Sequence, residues 1–192
     1  LILHLSASKD MGDTNNSKVL VATVSEALKM GADAVSMHIN LGAETEPEML
    51  RDLGNLSREC EEWGMPLLVM AYPRGPKIKN SYQPEYVAHG ARVATELGAD
   101  IVKCSYTGDI DSFREIVRGT LAPVVIAGGP KMASDYDMLT MVKDSLEAGG
   151  RGVSIGRNIF QHKDVEGITR AISDIVLRGA TVEEAMKNIR KS

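Results

Sequence analysis

Cysteine is scarce in this chain, long apolar runs are missing, and neither sign of charge dominates. Only Cys60 and Cys104 occur among 192 residues, far apart, so neither a disulfide framework nor a four-cysteine zinc site can be assembled. A reducing cytoplasm is the simplest setting for such a chain. No stretch approaches the roughly 18 apolar residues of a membrane span, and no charged start with an apolar centre and a small-residue cleavage site marks a signal peptide. With 22 basic against 26 acidic residues and a net charge of −4, the balance argues against nucleic acid as a partner. Low-complexity linkers are absent, and so is an initiating methionine. The chain opens on Leu1-Ile2-Leu3-His4-Leu5, already a strand pattern, and reads as the N-terminally truncated remainder of a longer protein. What is left is a globular composition, 43% hydrophobic and 25% charged, sized for a single domain over residues 1–192 with one large core.

Within that composition a grammar repeats. Short apolar runs at Leu1–Leu5, Ala34–Ile39, Pro66–Ala71, Asp100–Ser105, Pro123–Ala127 and Gly152–Ile155 are each followed by turn residues and a helical pattern. They recur at about the 30 residues of a βα unit. Most lack polar–apolar alternation, as parallel strands covered on both faces do. Boundary signals place the helices between them. Lys18 to Met30 carries an apolar face and ends at Gly31. Gln83-Pro84-Glu85 opens a helix running to Gly98. Asp109 or Asp111 caps Ser112–Arg118, Ser134 precedes a helix reaching Ala148, and Asp164 starts one ending near Gly179. Thr181 and Glu184 form a capping box.

Strands alternating with helices predict a parallel sheet with right-handed crossovers. It closes either as an open doubly wound sheet or as a (β/α)8 TIM barrel. Neither Gly-x-Gly-x-x-Gly nor a P-loop follows the first strand. The late strands instead end in Ala127-Gly128-Gly129-Pro130 and Ser154-Ile155-Gly156-Arg157, where barrels hold phosphate. The barrel is the favoured α/β architecture, with six strands visible and about two βα units absent from the front.

Barrel chemistry sits at the carboxyl ends of strands, and four places there hold candidate residues. Lys103 ends an apolar strand. Desolvation would leave its amine neutral and able to attack a carbonyl. Position alone favours the plainer reading of a lysine whose stem is buried and whose head reaches solvent. Tyr72 and Arg74 in Tyr72-Pro73-Arg74-Gly75 could relay a proton and hold an anion, or cap the core beside a tight turn. Gly128, Gly129, Gly156 and Arg157 read as a phosphate cradle, with backbone N–H groups and a helix N-terminus facing the anion, against the simpler reading of turns. Ser6 and Ser8 either hydrogen-bond a substrate or start a loop. Lys77 and Lys131 read as loop lysines. His4, His38, His89 and His162 share no metal-ligand spacing and read as ordinary core or surface residues. Cys104 reads as a small buried apolar residue, and Asp109 as a helix cap.

Five segments in order carry a resemblance. They are Tyr72-Pro73-Arg74-Gly75, Asp100-Ile101-Val102-Lys103, Ser105-Tyr106-Thr107-Gly108-Asp109, Ala127-Gly128-Gly129-Pro130-Lys131 and Gly156-Arg157-Asn158-Ile159-Phe160-Gln161. The chain resembles, over essentially its whole length, the archaeal-type class I aldolases. That family includes fructose-bisphosphate aldolases and 2-amino-3,7-dideoxy-D-threo-hept-6-ulosonate synthases. His4-Leu5-Ser6-Ala7-Ser8 and Trp63-Gly64-Met65-Pro66 are closer to the synthases.

The resemblance implies that Lys103 forms an imine with substrate and that Tyr72 is the proton donor. It implies that Tyr72, Pro73 and Arg74 line the substrate, while Gly128, Gly129, Gly156 and Arg157 bind its phosphate. It implies no metal and no organic cofactor. The partners it implies are a sugar phosphate, L-aspartate semialdehyde and further copies of the chain in a ring-shaped homo-oligomer. It implies a place on an alternative route to 3-dehydroquinate and aromatic amino acids. The alternatives are cleavage of fructose 1,6-bisphosphate with the same lysine, or an inactive fragment that binds sugar phosphates. The family also carries an aspartate at the end of its first strand, which has no counterpart in these residues.

Overall fold

The computed structural model describes residues 1–8 and 16–190. In chain order its elements are β1 (Ile2–His4), β2 (Ser6–Ala7), β3 (Val19–Leu20), α1 (Val24–Lys29), β4 (Ala34–Leu41), α2 (Glu46–Trp63), β5 (Leu67–Pro73), α3 (Pro84–Glu96), β6 (Ile101–Ser105) and α4 (Ile110–Arg118). They continue with β7 (Val124–Ala127), α5 (Asp135–Glu147), β8 (Gly152–Ser154), α6 (Arg157–Phe160), α7 (Val165–Arg178) and α8 (Val182–Met186).

Six strands form one sheet in the order β1-β4-β5-β6-β7-β8, and every pairing in it is parallel. The spatial order never departs from the chain order. A doubly wound sheet reverses its order at a switch point, whereas a barrel adds each strand beside the last. The sheet is therefore of the barrel kind. Among the described residues β1 and β8 each pair on one side only, and Leu1 and Ile2 at that edge are exposed. No described helix is long and apolar enough to cross a membrane.

The six strands match the six apolar runs, and most helix boundaries fall where the capping residues put them. Asp109 accepts from the N–H groups of Asp111 and Ser112. Ser134 caps α5, Asp164 caps α7, and Thr181 with Glu184 forms the capping box of α8. The helix expected from Lys18 to Met30 is a correction. Val19 and Leu20 are instead a strand, antiparallel to Ser6 and Ala7, and the helix starts only after Thr23. Thr23 and Glu26 make a reciprocal capping box there, a Thr-x-x-Glu signal that the apolar periodicity overrode.

Packing follows from the pleat. In β4, Val35, Met37 and Ile39 point to the helices and join a core with Met49, Leu53 and Leu56 of α2. The intervening Ser36, His38 and Asn40 point the other way, into the concave side of the sheet, yet Ser36 and Asn40 are also buried. A second cluster gathers Leu139 and Val142 of α5 with Ile168, Ile172 and Ile175 of α7.

One close backbone approach shapes the rim near the carboxyl ends. The Arg74 N–H donates to the Leu41 carbonyl at 2.8 Å, drawing the segment after β5 against the end of β4. A Cβ at Gly75 would lie 1.7 Å from the Gly42 carbonyl oxygen, so only glycine fits. Gly75→Ala is expected to lower unfolding free energy by about 1–3 kcal/mol, as overpacking does. Gly54→Ala, inside α2 with nothing near its Cβ position, is expected to be neutral or stabilising by about 0.5–1 kcal/mol. Chemical denaturation of the two variants checks the contrast, and equal effects would contradict it.

Candidate active site

The parallel register decides which side chains meet. Met70 pairs with Lys103, Lys103 with Val125, and Ser105 with Ala127, which in turn pairs with Ser154. Tyr72 lies two residues beyond Met70 on the same face of β5, and pairs with Asn40 of β4. All these strands run in one direction, so their carboxyl ends and the loops behind them share one rim. A cavity of about 360 Å³ opens there, lined by His38, Tyr72, Arg74, Lys103, Gly128, Gly129, Gly156 and Arg157 among others. Of the residues singled out from sequence, Lys103, Tyr72, Arg74 and the four cradle residues all reach this cavity. Pro73 does not line it; it is buried at the end of β5, paired with Leu41. Lys77 and Lys131 are exposed loop residues outside it.

Lys103 is only partly buried, but it faces a space lined, among the described residues, by no carboxylate. Burial lowers its pKa from the ordinary lysine value, because an ammonium out of water is disfavoured and nothing opposite compensates it. Burial drives the Tyr72 phenol the other way, well above the usual tyrosine range, with the Arg74 guanidinium as a weaker opposing influence. The Arg74 guanidinium carbon sits 4.8 Å from the centre of the Tyr72 ring, a cation–π distance. The site thus holds an amine biased toward neutrality beside a phenol that keeps its proton.

The glycine segments are held by a residue whose role the sequence reading left unassigned. Asn158 is buried, and its Nδ2 donates to the Gly128 carbonyl at 2.8 Å and the Pro130 carbonyl at 2.9 Å. Its Oδ1 accepts from the Met132 N–H at 3.0 Å. One side chain therefore fixes the whole turn after β7 against the turn after β8. Arg157 reaches the Gly129 carbonyl at 3.3 Å and stays exposed, so its remaining N–H donors are available to an anion. Gly128 is required for closeness, since a Cβ there would lie 2.5 Å from Ile155 Cγ2.

His38 is a cavity-lining residue that sequence reasoning passed over. Far from ordinary filler, it lines the cavity and meets the Tyr72 ring edge-on at 5.0 Å. Its signal was present in Ala34–Leu41, where polar Ser36, His38 and Asn40 alternate strictly with Val35, Met37, Ile39 and Leu41. Alternation in a strand covered by helices marks a polar inner face. The remaining candidates fall elsewhere. Ser6 accepts from the His38 backbone N–H at 3.1 Å, and Ser8 accepts from the Lys18 ammonium. His162 is held by Asp135 and Asp164, and His89 is exposed. Cys104 is fully buried, with its thiol pushed up to about 12 by that burial.

A larger cleft of about 620 Å³ lies at the opposite strand ends, between Met65, Pro66, Gly98 and Asp100. Its lining carries Glu61 and Asp100 with no lysine or arginine. Burial pushes the Cys60 thiol there up to about 11, leaving neither a nucleophile nor an anion site. Size alone does not outweigh that chemistry.

Comparison with known proteins places the chain in a family. The model for the DeoC/LacD family aldolases matches residues 1–162. A Streptomyces griseus protein named 2-amino-4,5-dihydroxy-6-oxo-7-(phosphonooxy)heptanoate synthase is 44% identical over 181 residues, covering 94% of this chain and 66% of that protein. A Halobacterium salinarum 2-amino-3,7-dideoxy-D-threo-hept-6-ulosonate synthase is 40% identical over 185 residues, covering 96% and 69%. The structure of an archaeal fructose-1,6-bisphosphate aldolase, with its catalytic lysine covalently bound to the carbinolamine intermediate of the substrate, superposes with a TM-score of 0.88. It is 37% identical and is covered over 91% of this chain and 70% of its own. The chain spans about two thirds of the length of the curated relatives it matches. With the family model spanning most of its residues and relatives at 40% identity or above along nearly all of it, the chain belongs to the DeoC/LacD aldolase family.

Proposed function

We propose that residues 1–192 form one barrel-type domain carrying the Schiff-base centre of a 2-amino-3,7-dideoxy-D-threo-hept-6-ulosonate synthase. The observation that carries this is the Lys103 amine: unpaired among the described residues, lowered in pKa by burial, and facing a cavity shared with Tyr72 and a glycine–arginine anion cradle. Free, buried Cys60 and Cys104 suit a reducing cytoplasm.

The names of the two synthase relatives describe seven-carbon products with an amine at C2 and a ketone at C6. Breaking the C4–C5 bond of either gives the same four-carbon acceptor, aspartate semialdehyde. The other half is a three-carbon ketone fragment, phosphorylated only in the Streptomyces product. On this reading the neutral Lys103 amine adds to the methyl ketone of a 6-deoxy-5-ketofructose 1-phosphate, and loss of water leaves a protonated imine. The bond between the imine's α and β carbons then breaks. Its electron pair enters the enamine, while the β-hydroxyl loses its proton and becomes the aldehyde of a departing three-carbon phosphate. The enamine carbon attacks the aldehyde carbon of L-aspartate semialdehyde, the new alkoxide takes a proton, and water hydrolyses the imine. Tyr72, kept protonated by burial, is the group that moves these protons at the rim. Gly128, Gly129, Gly156 and Arg157 hold the donor's phosphate in place for the cleavage. The imine itself is the electron sink, so the chemistry calls for no divalent ion.

A second reading, cleavage of fructose 1,6-bisphosphate with the same lysine, draws on the likeness to the archaeal aldolase structure. Product assays separate the two: turnover of fructose bisphosphate without synthase activity would replace the first reading. Borohydride reduction in the presence of either ketose phosphate is expected to add the donor-derived mass to Lys103. Lys103→Arg, which keeps the charge, is expected to abolish that mass. An adduct that survives the substitution would remove Lys103 from the role.

Because burial lowers the lysine pKa, the neutral fraction at any given pH exceeds that of a free lysine. The trapping rate is therefore expected to climb with pH and level off below the ordinary lysine value of 10.5. A rate that reaches half its maximum only at pH 10.5 or above would show an amine whose pKa is not lowered. Arg157→Ala is expected to raise the KM for the phosphorylated donor about tenfold or more, the effect of one charge-assisted hydrogen bond. The trapped adduct should stay on Lys103, and peptide mass mapping checks both points together.

A further inference from the structure

The concave face of β1 and β4 is polar, and its hydrogen bonds can be followed atom by atom. His4 Nδ1 lies 3.0 Å from Ser36 Oγ, and His4 Nε2 lies 3.2 Å from Ser6 Oγ. Ser6 Oγ also accepts from the His38 backbone N–H at 3.1 Å. Asn40 is fully buried, and its Nδ2 donates to the Asn16 carbonyl at 2.7 Å. That bond fixes the amide, so Asn40 Oδ1 is the atom that faces His38 Nε2 at 2.9 Å. A carbonyl oxygen can only accept; His38 Nε2 must therefore carry the proton. His38 Nδ1 is left as a bare lone pair. It has no hydrogen-bond partner among the described residues, and it is not among the fully buried unpartnered atoms. The ring itself lines the cavity.

Burial holds the imidazole neutral, down to about 3, and the cations Lys18 and Arg74 press in the same direction. His38 is thus a hydrogen-bond acceptor that stays uncharged across the physiological range. Its place relative to Lys103 gives that acceptor a use. The anion cradle lies on the β7 and β8 side of Lys103, whereas His38 and Arg74 lie on the β4 and β5 side. A donor held by its phosphate at the cradle and by its ketone carbon on Lys103 leaves the β4–β5 side for the incoming aldehyde. Arg74 offers that aldehyde a cation. An ammonium on that aldehyde needs a hydrogen-bond acceptor, and the His38 lone pair can serve as one.

We infer that His38 is the acceptor-side specificity residue, taking through Nδ1 a hydrogen bond from the ammonium group of an amino-acid aldehyde whose carboxylate is held by Arg74. The inference rests on the synthase reading and names the part of the site that recognises its second substrate. The test compares kcat/KM for aspartate semialdehyde with that for succinate semialdehyde, the same chain without the amine. The native protein is expected to prefer the amino-acid aldehyde about tenfold or more, the scale of one hydrogen bond to a charged group.

His38→Gln puts an amide near the Nε2 position, where it can still meet Asn40, and vacates Nδ1. It is expected to bring the ratio close to one. His38→Asn puts an amide oxygen near the Nδ1 position and is expected to keep most of the preference. An unchanged ratio in His38→Gln, or a ratio near one in the native protein, would overturn the inference. Borohydride trapping of the native protein with the ketose donor alone separates the two levels. No adduct would bring down the Schiff-base reading and this inference with it, whereas trapping with an unaffected ratio would bring down the inference alone.

Discussion

An ammonium moved out of water must be paired or must give up its proton, and among the described residues lining the cavity it faces Lys103 meets no carboxylate. The surroundings of this side chain follow from that constraint. The stem leaves β6 between β5 and β7, whose partners in register are Met70 and Val125, both apolar. On the opposite face of the same strand Val102 and Cys104 are fully buried under helices. The amine is carried into a low-dielectric space by a strand that cannot move without disturbing the core. Its neighbours across the rim, Arg74 and Arg157, are themselves cations. On the proposed function that positive lining suits an anionic substrate, while burial is what favours the neutral amine.

The polar inner face of β4 answers a related need. Ser36 and Asn40 are buried and His38 half-buried on the concave side, where unpaired polar groups are costly. They are satisfied in a chain that runs from Ser36 through His4 and Ser6 to the His38 backbone, while the His38 ring is held separately by Asn40 and the Asn16 carbonyl. The network fixes ring orientation and tautomer without a single charged member. The Tyr72 phenol lies against the His38 ring on one side and beneath Arg74 on the other, so its position too is set by groups that compete little for its proton. Asn158 does comparable work at the far end of the cavity, where its three hydrogen bonds hold the glycine turn.

Much of this was legible in the residues. The six strands show as apolar runs because parallel strands covered on both faces need apolar residues over their whole length. The helix boundaries at Asp109, Ser134, Asp164 and Thr181 show because capping is a local hydrogen bond between a side chain and the backbone two or three residues on. The same locality was overlooked at Thr23 and Glu26. There an apolar period suggested a longer helix, and the pairing of Val19 and Leu20 with Ser6 and Ala7 is non-local. His38 was overlooked for a different reason. A histidine in an apolar strand is ambiguous until one knows which face of the sheet is concave, and the alternation in Ala34–Leu41 reports two faces without saying what each one meets.

The sequence by itself determined the order of strands and helices, the turns that glycine permits, and the candidates Lys103, Tyr72, Arg74, Gly128, Gly129, Gly156 and Arg157. Each of those is written in local periodicity, capping chemistry or a short motif. Only the tertiary structure decided that Pro73 stays out of the cavity, that Asn158 ties two turns together, and that the His38 ring lines the same cavity as the glycine turns. Those facts depend on register between strands more than thirty residues apart in some pairings, and on hydrogen bonds such as that between Asn40 and the Asn16 carbonyl. A chain reveals such relations only when its sheet brings them to a common rim.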